Sequence, residues 1–371
     1  MSNDSKPTRS MAVSRLAVLG GALGLLSYGA PTAAQPAPAA SPNPGFPQVE
    51  IAATFAPPGE SNVRSSFRLG EEVALIGTEE TGDIYKSEDA GRTWRKTVDT
   101  DELWEVSDVR NFIRARDGRL YATTSEPAFV LRSADEGETW EKVAKPKASR
   151  TVGIVQLDSG EILVGLRRSE NNRISIIRSD DGFQTFDWIA LSDTLPRQNV
   201  TCLFDMGDGV VLAGVGYEGS GKVFRSEDAG LTWEQTADFP DARDLMNFFR
   251  AGGKTYVMAS GIATLYVSGD DGQTWATATQ VWDKGFLGQS ATLNHDGRTY
   301  HLLAGTDQRA KTKRHVVLIS DNDGQTWHEW IELGTDVSGG ASNLAVIDEH
   351  TIVVGTGNHA VQGVVYTLKV R

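Results

Sequence analysis

Apolar positions in this chain come in short alternating runs. Residues 111–144 show the pattern in "NFIRARDG", "RLYATT", "AFVLRS" and "WEKVA". Each run is four to eight residues long, is bounded by turn formers, and has no helical spacing on either side. Such runs predict four β-strands in about 40 residues. Between the third and fourth runs lies "SADEGETW" (133–140). The chain spells close copies of it at 87–94 ("SEDAGRTW"), 226–233 ("SEDAGLTW") and 268–275 ("SGDDGQTW"), with degenerate copies at 179–186 ("SDDGFQTF") and 320–327 ("SDNDGQTW").

The octets start 46, 46, 47, 42 and 52 residues apart. Four strands per 40–50-residue period predict β-propeller blades. Helical arrays are excluded because Gly, Thr and β-branched residues fill the repeats. Residues 46–371 hold about seven such periods. The last unit contains "NLAVID", "TIVVGT" and "GVVYTLKV" and stops before any octet, while "QVEIAATF" (48–55) precedes the first complete unit. The predicted fold is therefore all-β: a seven-bladed β-propeller of four-stranded antiparallel blades, closed by an N-terminal strand completing the last blade. Six blades is the alternative. In each octet, Ser and Asp are expected to bond turn N–H groups and Gly to supply a positive φ. The Trp is expected to fill space beside the next blade.

Composition adds the surroundings. Lys6, Arg9 and Arg15 precede the apolar "LAVLGGALGLLSYGA" and the small residues of "PTAAQPAPAA", the order of a secretory signal peptide cleaved near Ala34. Residues 35–46 read as a Pro/Ala linker, and 47–371 as one propeller domain. The expected location is the periplasm or the exterior, with no membrane span once the leader is gone. Removing the leader takes the formal charge from −13 to about −15, because Asp4 and three bases leave with it. That charge argues against nucleic acid or an anionic membrane as partner. The lone Cys202 rules out an internal disulfide. No HxH or HExxH spacing occurs, so neither a metal site nor a cofactor is expected.

The S-x-D-x-G-x-T-W octet resembles the Asp-box, or BNR repeat, and the resemblance covers residues 46–371. Families with this repeat include sialidases and the non-catalytic photosystem II assembly-factor type of propeller. The sialidase resemblance implies an Arg-Ile-Pro opening the first complete inner strand. Here Arg64 stands at that place, followed by Ser65 and Ser66 instead of Ile-Pro. It also implies a Tyr nucleophile paired with Glu and an Asp acid/base. Tyr217-Glu218 and Asp101 are the nearest counterparts, although adjacency in sequence is not the family arrangement. A glycoside hydrolase or lyase acting on an acidic sugar is the alternative function on this ground.

Candidate site residues come from the loops of the face opposite the octets. Arg64, Arg110, Arg150, Arg197 and Arg243 are each expected just before an inner strand, at spacings of 46, 40, 47 and 46. Loops between second and third strands supply Glu79, Glu80, Glu126, Glu170 and Glu218, with Tyr217 beside the last. Trp104 and Trp282 fall in the first set of loops. Two readings follow: an Arg-lined funnel for a carboxylate-bearing ligand, or Arg–Glu rim pairs contributing little. The leading expectation is a monomeric recognition or assembly module for an acidic glycan or a protein or peptide partner in the cell envelope.

Overall fold

The computed structural model describes residues 45–170, 173–196, 198–216, 220–336, 340–357 and 362–371; the leader region lies outside them. The strands group into antiparallel sets of four. Six sets follow one another at residues 62–98, 108–144, 150–196, 199–239, 245–280 and 285–336. A seventh combines the strands at 340–370 with Val49–Phe55, which pairs antiparallel with Val364–Val370. These sets are units 1 to 7 below. Pairing of "QVEIAATF" with the last unit, expected from its lack of nearby partners, is thus observed.

Within a unit, burial decides sequence. In unit 2 the second strand, Leu120–Ser125, is buried at every position because units lie on both of its faces. The outer strand Glu141–Ala144 exposes its charged start. Among the described residues, apolar clusters lie between successive units. Leu75 and Ile84 of unit 1 meet Phe112, Leu120 and Leu131 of unit 2. The ring closes in the same way: Val63, Ile76 and Tyr85 of unit 1 meet Ile347, Val353 and Val365 of unit 7. Each fully buried Leu or Ile contributes roughly 2 kcal/mol, so closure rests on many such contacts. At the N-terminal side, Phe46 packs 5.2 Å from the His328 ring, and Trp330 Nε1 donates to Pro47 O.

The octets form one repeated turn. In unit 1, Ser87 Oγ accepts from the Gly91 N–H (2.8 Å) and donates to Asp89 Oδ1 (2.9 Å). Asp89 in turn accepts from the Thr93 N–H and hydroxyl, and Trp94 Nε1 donates to Gly91 O. Gly91 has φ +83°, and an added Cβ would come within 2.7 Å of Val353 Cγ2 in unit 7. Gly is therefore needed twice, for the turn and for the approach. That contact corrects one expectation. The octet packs on the preceding unit, not the next: Gly137 abuts Leu75 of unit 1, and Gly230 abuts Leu163 of unit 3. In the degenerate third copy, Phe183 sits in the Gly place at φ +68°. Its buried ring lies 5.9 Å from Tyr121 of unit 2, against the same preceding unit that an octet Trp would meet.

Candidate binding cavity

The inner strands share one irregularity. In each unit the pairing of first and second strand slips at the same level, giving the first strand one residue more than the second. Units 1, 2, 4 and 7 insert Arg64, Arg110, Thr201 and Ser342. Units 3, 5 and 6 set Val152–Gly153, Met246–Asn247 and Gly288–Gln289 each against a single residue of the second strand. A β-bulge breaks the ladder and re-aims a side chain. All of these residues line a single cavity of about 540 Å³, within the range of ligand sites. Side chains at the bulges also bond backbone carbonyls of the neighbouring inner strand. Ser65 Oγ donates to Val109 O, Asn111 Nδ2 to Val152 O, Thr201 Oγ1 to Leu245 O and Asn343 Nδ2 to Val63 O. The ring of bulges is thereby tied strand to strand.

Arg64, Arg110, Arg150 and Arg243 all line this cavity, so the structure brings together the described members of the predicted set. Arg197, Tyr217 and Glu218 lie outside the described residues. The positions differ from expectation. Arg64 and Arg110 are the third residues of Asn62–Arg68 and Asp108–Arg114, and Arg150 opens Arg150–Gln156. Of these four, Arg243 alone stands in the preceding loop, and its side chain is 76% exposed. Arg167, at the end of Ile162–Arg167, joins the lining and was missed. Asn247, Phe286, Gln289 and Gln308 were missed as well. The signal that could have found the bulge residues is a slip in the in–out alternation of each inner strand.

The arginines are paired with carboxylates of the protein. Arg64 bonds Glu79, Arg110 lies 2.5 Å from Asp108, Arg150 lies 3.0 Å from Glu126, and Arg243 lies 2.9 Å from Asp244. Arg110 Nε also donates to Ser125 Oγ, and Ser125 Oγ donates to Asp108. Burial alone would lower the Arg64 pKa, but Asp108 and Glu79 more than offset it. Arg110 is pushed down to about 10, first by burial and then by the like charges of Arg64 and Arg150, against the pull of Asp108. It stays cationic at neutral pH, at a cost that an added anion would reduce. The Nε of Arg64 is buried with no hydrogen-bond partner among the described residues.

The remaining candidates have other surroundings. Trp104 ends the short helix Thr100–Trp104 and packs on the unit 1–unit 2 cluster, with Lys142 5.8 Å from its ring centroid. Trp282 is 4% exposed, buried among Phe249, Leu287 and Leu303. Both indoles therefore serve packing between units, which corrects their assignment to the ligand site. Glu126 reaches the cavity through Arg150. Glu170 instead pairs with Lys147, both side chains exposed, and is not part of the lining. Asp101 lies in the first turn of the short helix and is exposed.

Comparisons with known proteins place this geometry. The model of the family described as photosynthesis system II assembly factor YCF48 matches residues 56–260, more than half of the chain. The chain belongs to the YCF48 family. A sortilin, neurotensin receptor 3 model matches residues 221–357. Vacuolar protein sorting/targeting protein 10 of Colletotrichum graminicola is 26% identical over 191 residues, 44% of this chain and 12% of that protein. The chain thus spans a small part of that relative's length. Among solved structures, YCF48 bound to D1 peptide superposes with TM-score 0.58 at 18% identity, over 85% of this chain and 96% of that one. A catalytically inactive virginiamycin B lyase from Staphylococcus aureus with quinupristin superposes with TM-score 0.60 at 11% identity, over 87% and 99%. These likenesses are of fold, and the fold is a β-propeller with the BNR-type repeat. It is one on which binding modules are built. No helix among the described residues of this YCF48-family chain is long and apolar enough to cross a membrane.

Proposed function

We propose that this YCF48-family chain is an exported recognition module that holds a carboxylate-bearing ligand, an acidic glycan or a polypeptide segment, without turning it over. The observation that carries this reading is the bulge ring. It turns Arg64 and Arg110 into one cavity, where Arg150, Arg167 and Arg243 join them. Guanidinium groups hold carboxylates in a two-bond fork. The acid paired with Arg150 does not block the site. Glu126 is 54% exposed, so its pair with Arg150 contributes little and an incoming carboxylate can take its place. An anion beside Arg110 would also relieve the repulsion from Arg64 and Arg150. The family's structure with a D1 peptide supports a polypeptide as the occupant. Export rests on the leader grammar of residues 1–34.

The test is thermal unfolding of the protein against acidic peptides and oligouronides. A ligand that binds only the folded state raises the midpoint. Arg150→Ala should abolish the shift while leaving the unliganded midpoint unchanged, because its partner is solvated. Arg64→Ala should abolish it too. If no acidic compound moves the midpoint, the cavity is not a carboxylate site and the proposal falls.

A further inference from the structure

Arg64, Arg110, Arg150 and Arg243 hold their carboxylates in two different ways. The side chains of Glu79, Asp108 and Asp244 are at most 18% exposed, against 54% for Glu126. Asp108 is fixed further by Ser125 Oγ, which donates to it and accepts from Arg110 Nε. The side edge of Arg110 is thereby closed by two buried groups. On Arg150 the same edge is closed by Glu126, whose Oε1 alone accepts from both Nε (3.3 Å) and Nη2 (3.0 Å). A full guanidinium–carboxylate fork uses two oxygens and shorter bonds, so this edge is incompletely matched.

The backbone nevertheless holds Glu126 in this place. Its N–H donates to the carbonyl of Ser149, the residue before Arg150 (2.9 Å). Glu126 has φ +47°, a conformation that favours glycine. The strand pairs Val109–Thr124 and Leu245–Ala259 put Gly261 of unit 5, φ +93°, in the equivalent position. A long charged side chain where glycine fits better points to a side chain with a use.

Resting on the carboxylate-site reading above, we propose that Glu126 is a built-in competitor for the fork of Arg150, which a ligand carboxylate must displace, so that its release sets the affinity threshold of the cavity. The displaced side chain enters water at little cost, because half of it is already there. A tethered carboxylate competes at roughly millimolar effective concentration, so dilute lone carboxylates leave it in place. A ligand with further contacts to Arg64 or Arg110 passes the threshold. Such a competitor lowers every carboxylate's affinity by one common factor, whatever charge the ligand carries. Repulsion by a negative rim would instead grow with ligand charge.

The experiment is an NMR titration with butyrate and with tricarballylate, in mildly alkaline buffer where the second is a trianion, followed at the Arg150 Nε–H signal. Glu126→Gln should tighten both probes by the same factor, roughly two- to fivefold, the cost of displacing an exposed ion pair. Glu126→Gly, which suits the backbone here, should do at least as much. Glu170→Gln removes the same charge without touching a cavity arginine and should change neither affinity. Unchanged affinities in both Glu126 variants overturn the inference and leave the carboxylate site standing. So does a gain much larger for the trianion than for butyrate, or an equal gain in Glu170→Gln. Failure of both probes to bind the native protein and the variants overturns both readings.

Discussion

Glu60 offers a test of the physical reasoning at the seam where the ring closes. It lies between the closing strand Val49–Phe55 and the first inner strand, and its carbonyl accepts from the Gly363 N–H of unit 7. The side chain is 1% exposed, accepts from the Thr81 hydroxyl, and shares its surroundings with the fully buried Asp83 and with Tyr85. Its pKa is pushed up from 4.5 to about 7, first by burial and then by the negative charge of Asp83, with the Thr81 bonds pulling the other way. Lys96, 2.6 Å from Asp83, moderates that charge. Between pH 4.5 and 7 the folded state therefore keeps a proton that the unfolded state releases. Stability must fall as pH rises through this window and level off above it. At about 1.4 kcal/mol per pH unit the loss approaches about 3 kcal/mol. Glu60→Gln keeps the partners but cannot ionise. Urea unfolding from pH 4.5 to 8 should show the variant gaining on the native protein by about that amount up to pH 7, then running parallel. Parallel curves across the whole range would mean that Glu60 ionises normally in the fold, and the burial argument would be wrong.

Two further outcomes test the architecture. Ser133→Ala removes a buried hydroxyl that accepts from the Gly137 N–H and donates to Asp135, and it should cost roughly 1–3 kcal/mol in urea unfolding; an unchanged midpoint would remove the octet from the structural account. Deleting residues 48–55 bares the edge of Val364–Val370 and part of the unit 7–unit 1 cluster, so the product should self-associate or fail to fold. A stable monomer by sedimentation with an unaltered melting point would show that closure does not need this strand.

Much of the fold was legible because its information is local and repeated. Ser87, Asp89, Gly91 and Thr93 bond one another within seven residues, so the same spelling makes the same turn wherever it recurs. The unpartnered "QVEIAATF" was equally readable, since an apolar strand without neighbours needs an edge to join. The direction of octet packing was not readable. Whether Trp94 meets the unit before or after it depends on how successive sheets stack, and no residue in the octet encodes that. Trp104 and Trp282 failed as site residues for a similar reason. A Trp outside the repeat looks like a ligand contact until its neighbours are known, and Trp282 is buried in the cluster that holds Phe249 and Leu303.

The sequence by itself determined the repeat, the strand grammar, closure by the N-terminal strand, and a periodic set of arginines near the inner strands. Those follow from hydrogen bonds within a turn and from alternation along a strand, both short-range. Only the tertiary structure decided that Arg64 and Arg110 sit within strands at bulges, that Arg167 joins them from a second strand, and that Asn247, Gln289 and Gln308 line the same cavity. A bulge exists only relative to a paired strand, and a cavity exists only where separate units converge. Residues such as Val63 and Asn343, 280 positions apart, become neighbours there because the ring closes.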